Sequence, residues 1–201
     1  TGDYLTAADH ADWAFGTGDF TIDFWFNAAD TGTKGILYNH TDGVSMEIAR
    51  HASNVVRVLM STNDSGWDMV GVGTLDSTTA PSANTWYHVA VVRDGNTMRL
   101  FIDGTQESTE DVTGDSLTDT VSAISIGSAY GVGDHFNGYI DEFRISKGVA
   151  QWTANFTPPT ASYGPATTND ITLISDTTVA ESQPDQANIV MLVENSTTTP
   201  T

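Results

Sequence analysis

Apolar residues recur at every second position over residues 20–28, FTIDFWFNA. Successive side chains of a strand point to opposite faces, so Phe20, Ile22, Phe24 and Phe26 share one face. Thr21, Asp23, Trp25 and Asn27 take the other. Shorter β-rich runs follow at 35–39, 44–50, 54–61 and 67–72, separated by Gly, Asn, Asp or Ser clusters. Several short strands at this spacing predict an antiparallel sandwich or barrel.

The stretch 86–104, WYHVAVVRDGNTMRLFIDG, predicts a hairpin turning at Asp94-Gly95, because both residues tolerate positive φ. A two-residue turn there pairs Val91 with Met98, Val89 with Leu100 and Tyr87 with Ile102 on one apolar face. An odd loop without a bulge would set Arg99 against Val91, so hydrophobic parity favours an even one. The opposite face, with Trp86, His88, Ala90, Val92 and Phe101, is also apolar, which places the hairpin centrally in a sheet covered on both sides. Residues 105–122 carry five carboxylates and read as an edge strand plus loop. Strands follow at 123–127 and 138–147, with Tyr139, Asp141, Phe143 and Ile145 on one face of the latter and Ile140, Glu142 and Arg144 on the other. Residues 148–152 read as a single helical turn.

Pro158, Pro159 and Pro165 mark a boundary. Residues 1–164 are therefore expected to form one sandwich. Residues 165–201, with strand-like runs at 170–175 and 188–195, read as a linker and the first strands of a second β module, or as an assembly arm.

Charge narrows the partners. The chain of 201 residues has 26 acidic and 7 basic side chains, for a net charge of −19. Nucleic acid and anionic membrane both require Lys and Arg to displace counterions, so neither is an expected partner. The acid is 20 Asp to 6 Glu, beside 30 Thr and 18 Gly, a composition suited to turns and strands rather than helix faces. No apolar run of membrane-spanning length occurs. With no cysteine, the composition leaves the redox compartment open.

Three segments, GTGDFTIDFWF (16–26), WYHVAVVRDGNTMRLFIDG (86–104) and GYIDEFRISKGVAQW (138–152), together resemble the laminin-G-like, or concanavalin A-like, jelly-roll domain. The resemblance is strongest to the versions in tailed-phage structural proteins and large surface proteins of marine bacteria. It implies an all-β, two-sheet antiparallel jelly-roll sandwich, used for adhesion or carbohydrate recognition on a virion or cell surface, often with bound calcium. The tail also resembles a segment that follows such domains in phage structural proteins. Other virion or surface chains, further copies of this chain, and a glycan or host-surface receptor are the partners so implied. A purely structural spacer is the alternative, because the fold alone does not set function.

Glycosidases of the laminarinase type on this fold carry carboxylates in the order Glu-x-Asp-x-x-Glu on one strand face. Here Tyr139 stands at the nucleophile position and Arg144 at the last acid position. Asp141 and Glu142 are adjacent, and a regular strand points them apart. No G-x-S-x-G elbow or H-E-x-x-H pair occurs, so the chain is expected not to be an enzyme. The resemblance carries calcium to Asp3 and Asp141, near the early and late strands. Sugar binding combines an aromatic platform with hydrogen-bonding side chains. Two loops have that chemistry: one with Trp67 and Asp68, another with Tyr130, Asp134 and His135. They are expected to meet at one edge of the sandwich. Trp13, Phe15, Trp25 and Trp86 read as core, and Trp152 as an edge cover.

Overall fold

The computed structural model describes residues 4–40, 44–129, 133–161, 163 and the strand 170–172. Strands β1 (Leu5–Ala7), β3 (Gly35–His40), β4 (Met46–Arg50), β5 (Val56–Met60) and β9 (Ile124–Ile126) form a five-stranded sheet in the order β1-β9-β3-β4-β5. Strands β2 (Phe20–Ala28), β6 (Trp86–Asp94), β7 (Thr97–Ile102), β8 (Thr105–Asp111), β10 (Gly138–Lys147) and β11 (Asp170–Thr172) form a six-stranded one in the order β11-β10-β2-β6-β7-β8. Pairing between these strands is antiparallel throughout. The predicted two-sheet sandwich is the observed architecture.

The core lies between the sheets. Phe20, Ile22, Phe24 and Phe26 of β2 face it fully buried, as alternation requires. Phe143 of β10 stacks on Phe24 at 5.2 Å and on Tyr38 of β3 at 5.7 Å, joining the two sheets. Trp13 and Phe15 are buried in the same core.

The β6–β7 hairpin keeps its even loop, but the turn is Gly95-Asn96, one residue later than the sequence reading. Asp94 pairs with Thr97, Val91 with Leu100 and Val89 with Ile102, so the apolar faces stay matched while each partner moves by two. Gly95 takes the positive φ of 57°, and Asp94 is left as a strand residue whose carboxylate accepts from Arg99 at 3.0 Å.

Two predicted elements do not form. Residues 67–72 make only an isolated bridge, Val70 to Met60, because Asp68 turns back to bond Thr62 and Asn63 and curls the segment. Residues 148–152 are not helical. Their backbone bonds β2 instead: Thr21 Oγ1 donates to the Val149 carbonyl at 2.9 Å and accepts from Gln151 N at 3.0 Å. The chain thus leaves β10 as an extended strap over the outer face of the six-stranded sheet. Residues 170–172, expected beyond the sandwich, pair with Arg144, Ile145 and Ser146 of β10.

The strap is anchored at Gly104, whose carbonyl accepts from Phe156 N at 2.9 Å. Gly104 has φ of 74°, and a Cβ there would lie 1.9 Å from the Phe156 carbonyl oxygen. Gly104→Ala is expected to cost about 2 kcal/mol or more, combining a left-handed backbone with a backbone clash. Urea unfolding checks this, and an unchanged midpoint would refute so close a strap contact.

Candidate functional site

The two loops singled out in the sequence lie at opposite ends of the five-stranded sheet. The Trp67 loop follows β5 beside the His40 end of β3: Ser61 N donates to the Ser45 carbonyl at 2.9 Å and Val44 N to Asp64 Oδ1 at 2.8 Å. His135 instead bridges to Ile36, near the start of β3. Six residues of strand separate those ends by roughly 17 Å, so the loops do not form one site.

Each loop is also committed locally. Asp68 Oδ1 accepts from Thr62 N at 2.7 Å, and Oδ2 accepts from Thr62 Oγ1 at 2.6 Å and Asn63 Nδ2 at 2.7 Å. The Thr62 hydroxyl chiefly, with its amide, holds the Asp68 carboxyl below the usual carboxylate range. Trp67 is half-buried. Asp134 pairs with Lys34 at 3.1 Å, and Lys34 also reaches Glu47 at 3.2 Å. Burial pulls the Lys34 ammonium down, but Glu47 and Asp134 outweigh it and hold it above its ordinary value. His135 is half-buried, 6.1 Å from the Tyr4 ring. Phe136 plugs the core end, its ring edge-on to Phe26 at 6.0 Å. Tyr130 lies outside the described residues.

A different surface gathers the chemistry expected of those loops. On the outer face of the six-stranded sheet, strand register sets side chains of β10, β2 and β6 in rows: Tyr139–Asn27–Trp86, Asp141–Trp25–His88 and Arg144–Asp23–Ala90. The strap covers part of it. Ala150, Trp152 and Phe156 pack on Ala90, Val92 and Phe101, with Trp152 stacked on Phe156 at 4.0 Å. Beneath lies Asp23, fully buried. It accepts from Arg144 Nε at 2.9 Å and Nη2 at 3.2 Å, lies 3.3 Å from His88 Nε2, and accepts from the Tyr163 hydroxyl. Burial, then the Asp23 charge, pushes that hydroxyl well above its ordinary pKa, which keeps it a donor. The Arg144 guanidinium lies 4.0 Å over the Tyr163 ring.

The strap's cover ends at His88, whose ring meets Trp152 and Phe156 on one side and Trp25 on the other. Beyond it the face is open. Trp86 is 42% exposed and Tyr139 44%, so Trp86 is not the core residue the sequence suggests. Strands β6 and β10 flank β2 and stand roughly 10 Å apart, yet the two rings come within 6.4 Å, leaning toward each other over Asn27. Among the described residues, nothing bonds the Asn27 amide, the Trp25 and Trp86 indole N–H groups or the Tyr139 hydroxyl. Asp141 is exposed beside them and commits one oxygen, accepting from Glu142 N at 2.9 Å.

A bulge builds this surface and corrects the expected faces of β10. Between the pairs Asp141–Trp25 and Arg144–Asp23, β10 spends two residues where β2 spends one. Glu142, at φ of 51°, is the extra residue. Ile140, Phe143 and Ile145 therefore all face the core, while Tyr139 and Asp141 share the outer face with Arg144. Glu142 also turns to the strap side, its Oε2 accepting from Tyr163 N at 2.7 Å. Strand alternation thus does not hold Asp141 and Glu142 apart, as the sequence reading supposed. Tyr139 still stands where a nucleophile would be needed, and Arg144 is engaged with Asp23.

Toward calcium, Asp3 lies outside the described residues. Among the described residues, Asp141 included, no three His, Cys, Asp or Glu side chains stand together as a metal's ligands.

The family model of the concanavalin A-like lectin/glucanases superfamily matches residues 1–153. No curated protein matches the chain. Among solved structures, a candidate carbohydrate binding protein from Bacteroides ovatus is similar at TM-score 0.56 and 19% identity, over 74% of this chain and 42% of that one. The binding domain of Paraclostridial mosquitocidal protein 1 is similar at TM-score 0.54 and 18% identity, over 77% and 38%. The receptor binding domain of botulinum neurotoxin D gives TM-score 0.55 and 10% identity, over 78% and 39%. The chain thus spans about two fifths of these solved chains, and at such identities the likeness is one of fold.

Proposed function

The chain belongs to the concanavalin A-like lectin/glucanases superfamily, and from that premise we propose a non-catalytic binding module that recognises carbohydrate on its open sheet face. The observation that carries this is the pair Trp86 and Tyr139, held open on regular strands around Asn27. Aromatic rings this exposed forfeit burial in the free protein, and a sugar's apolar face restores it. The unbonded amide, indole and hydroxyl groups beside them suit a sugar's hydroxyl rim. Paired strand backbone positions both residues before any ligand arrives, so little backbone ordering is required on binding. Similarity to solved binding domains supports the same reading. The sequence resemblance supports display on a virion or cell surface as the setting of this module. No step is assigned to calcium.

A panel of immobilised glycans tests the proposal. Binding is expected for the wild type and for Trp67→Ala, and is expected to fall at least about tenfold in Trp86→Ala and in Tyr139→Ala. Loss in Trp67→Ala with retention in the other two would return the site to the loop. A spacer module would bind nothing on the panel.

A further inference from the structure

The geometry points to an uncharged glycan, rather than an acidic one, as what the open sheet face binds; this rests on the reading of that face given above. No cation is available to an acidic ligand on that face. The chain has seven Lys and Arg residues, and every one is engaged within the fold. Lys34 holds Glu47 and Asp134, Arg50 holds Asp30, Arg57 holds Asp76 and Arg99 holds Asp94. Arg93 is buried, donating to the carbonyls of Gly95, Gly16 and Asp115. Lys147 donates to the Ala11 carbonyl. Arg144 shares the outer face, but it is committed to Asp23 and lies against the rings of Tyr163 and Trp152.

The open half therefore presents no cation, and it does present an anion. Asp141 stands in the row beside Trp25, one row from Trp86, Asn27 and Tyr139. A uronate carboxylate or a sulfate bound there would meet Asp141 with nothing to neutralise it, in the field of a chain of net charge −19. An uncharged sugar meets no such barrier. It can lay an apolar face on the rings and give hydroxyl hydrogens to Asp141 and the Asn27 carbonyl, while the Asn27 amide and the indoles donate to its oxygens. Acidic recognition would require a guanidinium or ammonium freed from an existing partner, and the Arg144 pair is the least available, being sealed under the strap.

Calorimetric titration with matched hexasaccharides tests this: neutral cellohexaose, laminarihexaose, maltohexaose and mannohexaose against hexagalacturonate and a chondroitin sulfate hexasaccharide, at low and physiological salt. At least one neutral chain is expected to bind about tenfold or more tighter than both acidic ones, with the gap narrowing as salt rises. Trp86→Ala and Tyr139→Ala are each expected to lose about tenfold on the neutral ligand. Asp141→Asn is expected to improve acidic binding relative to neutral. An acidic chain bound as tightly as the neutral ones, and lost in Trp86→Ala, would overturn the ligand class while leaving the sheet face in place. Neutral binding that survives both ring substitutions would overturn the face, and the inference with it. So would a folded wild type that binds no member of the set. Thermal melting of each variant separates lost binding from lost fold.

Discussion

Replacing Phe143 by alanine is expected to cost about 3–5 kcal/mol, whereas deleting its neighbour Glu142 is expected to leave the sandwich folded, within about 2 kcal/mol of the wild type. The difference follows from strand parity. With Glu142 as the extra residue of the bulge, Ile140 and Phe143 both face the core although they lie three residues apart. Deleting it sets them two residues apart, so regular alternation keeps Phe143 inward opposite Phe24 and Arg144 outward beside Asp23. The deletion relieves the left-handed φ of 51° and loses the bond from Tyr163 N, two effects that nearly offset. Phe143, by contrast, is 3% exposed and stacked between Phe24 and Tyr38, so its truncation takes a large part of a domain's usual margin of about 5–15 kcal/mol. Circular dichroism and urea unfolding of both variants decide it, and a deletion variant that fails to fold would refute Glu142 as the extra residue of the bulge.

Replacing Asp23 by alanine is expected to cost about 3–5 kcal/mol, because it removes the buried carboxylate that Arg144 binds through two donors in a covered site. Arg144 is only 14% exposed at its side chain and Asp23 is fully buried. For a domain of this size the melting temperature should fall by about 6–20 °C. The strap should loosen with it, since Tyr163 and His88 both meet the lost carboxylate. The intact pair need not be worth that much. Removing both charges, in Asp23→Ala with Arg144→Met, is expected to recover most of the loss, because no buried charge then stands alone. A double variant no more stable than Asp23→Ala would show that the cost lies elsewhere, in the cavity or the strap.

The elements most legible in the sequence are those whose faces differ. In residues 20–28, four apolar side chains alternate with four others, and strand, bounds and faces all follow. Apolar matching across the β6–β7 hairpin fixed the parity of its loop, though not the turn, since Gly95 can serve as the first turn residue as well as the second. The bulge at Glu142 carries no such mark. Both Glu142 and its neighbours are ordinary strand residues, and only pairing with β2 shows the extra one. Trp86 was misread for a related reason. An aromatic within a strand is buried only if something covers its face, and the strap reaches Val92, Ala90 and His88 but stops short of Trp86. The two aromatic loops were recognisable as sugar-binding chemistry, yet which end of β3 each occupies is a matter of topology. The rows that bring Tyr139, Asn27 and Trp86 together are likewise a product of register, from three segments far apart in the chain.

The chain has five tryptophans, and each indole N–H gives its own signal in a nitrogen–proton correlation spectrum. Assigned through single Trp→Phe variants, those five signals report separately on the buried core, the Trp67 loop, the strap and the open sheet face. Titration with the tightest-binding neutral hexasaccharide is expected to shift the signals of Trp86 and Trp25 and to leave those of Trp13, Trp67 and Trp152 in place. A shift at Trp67 with Trp86 unmoved would contradict the central claim and return the binding site to the loop.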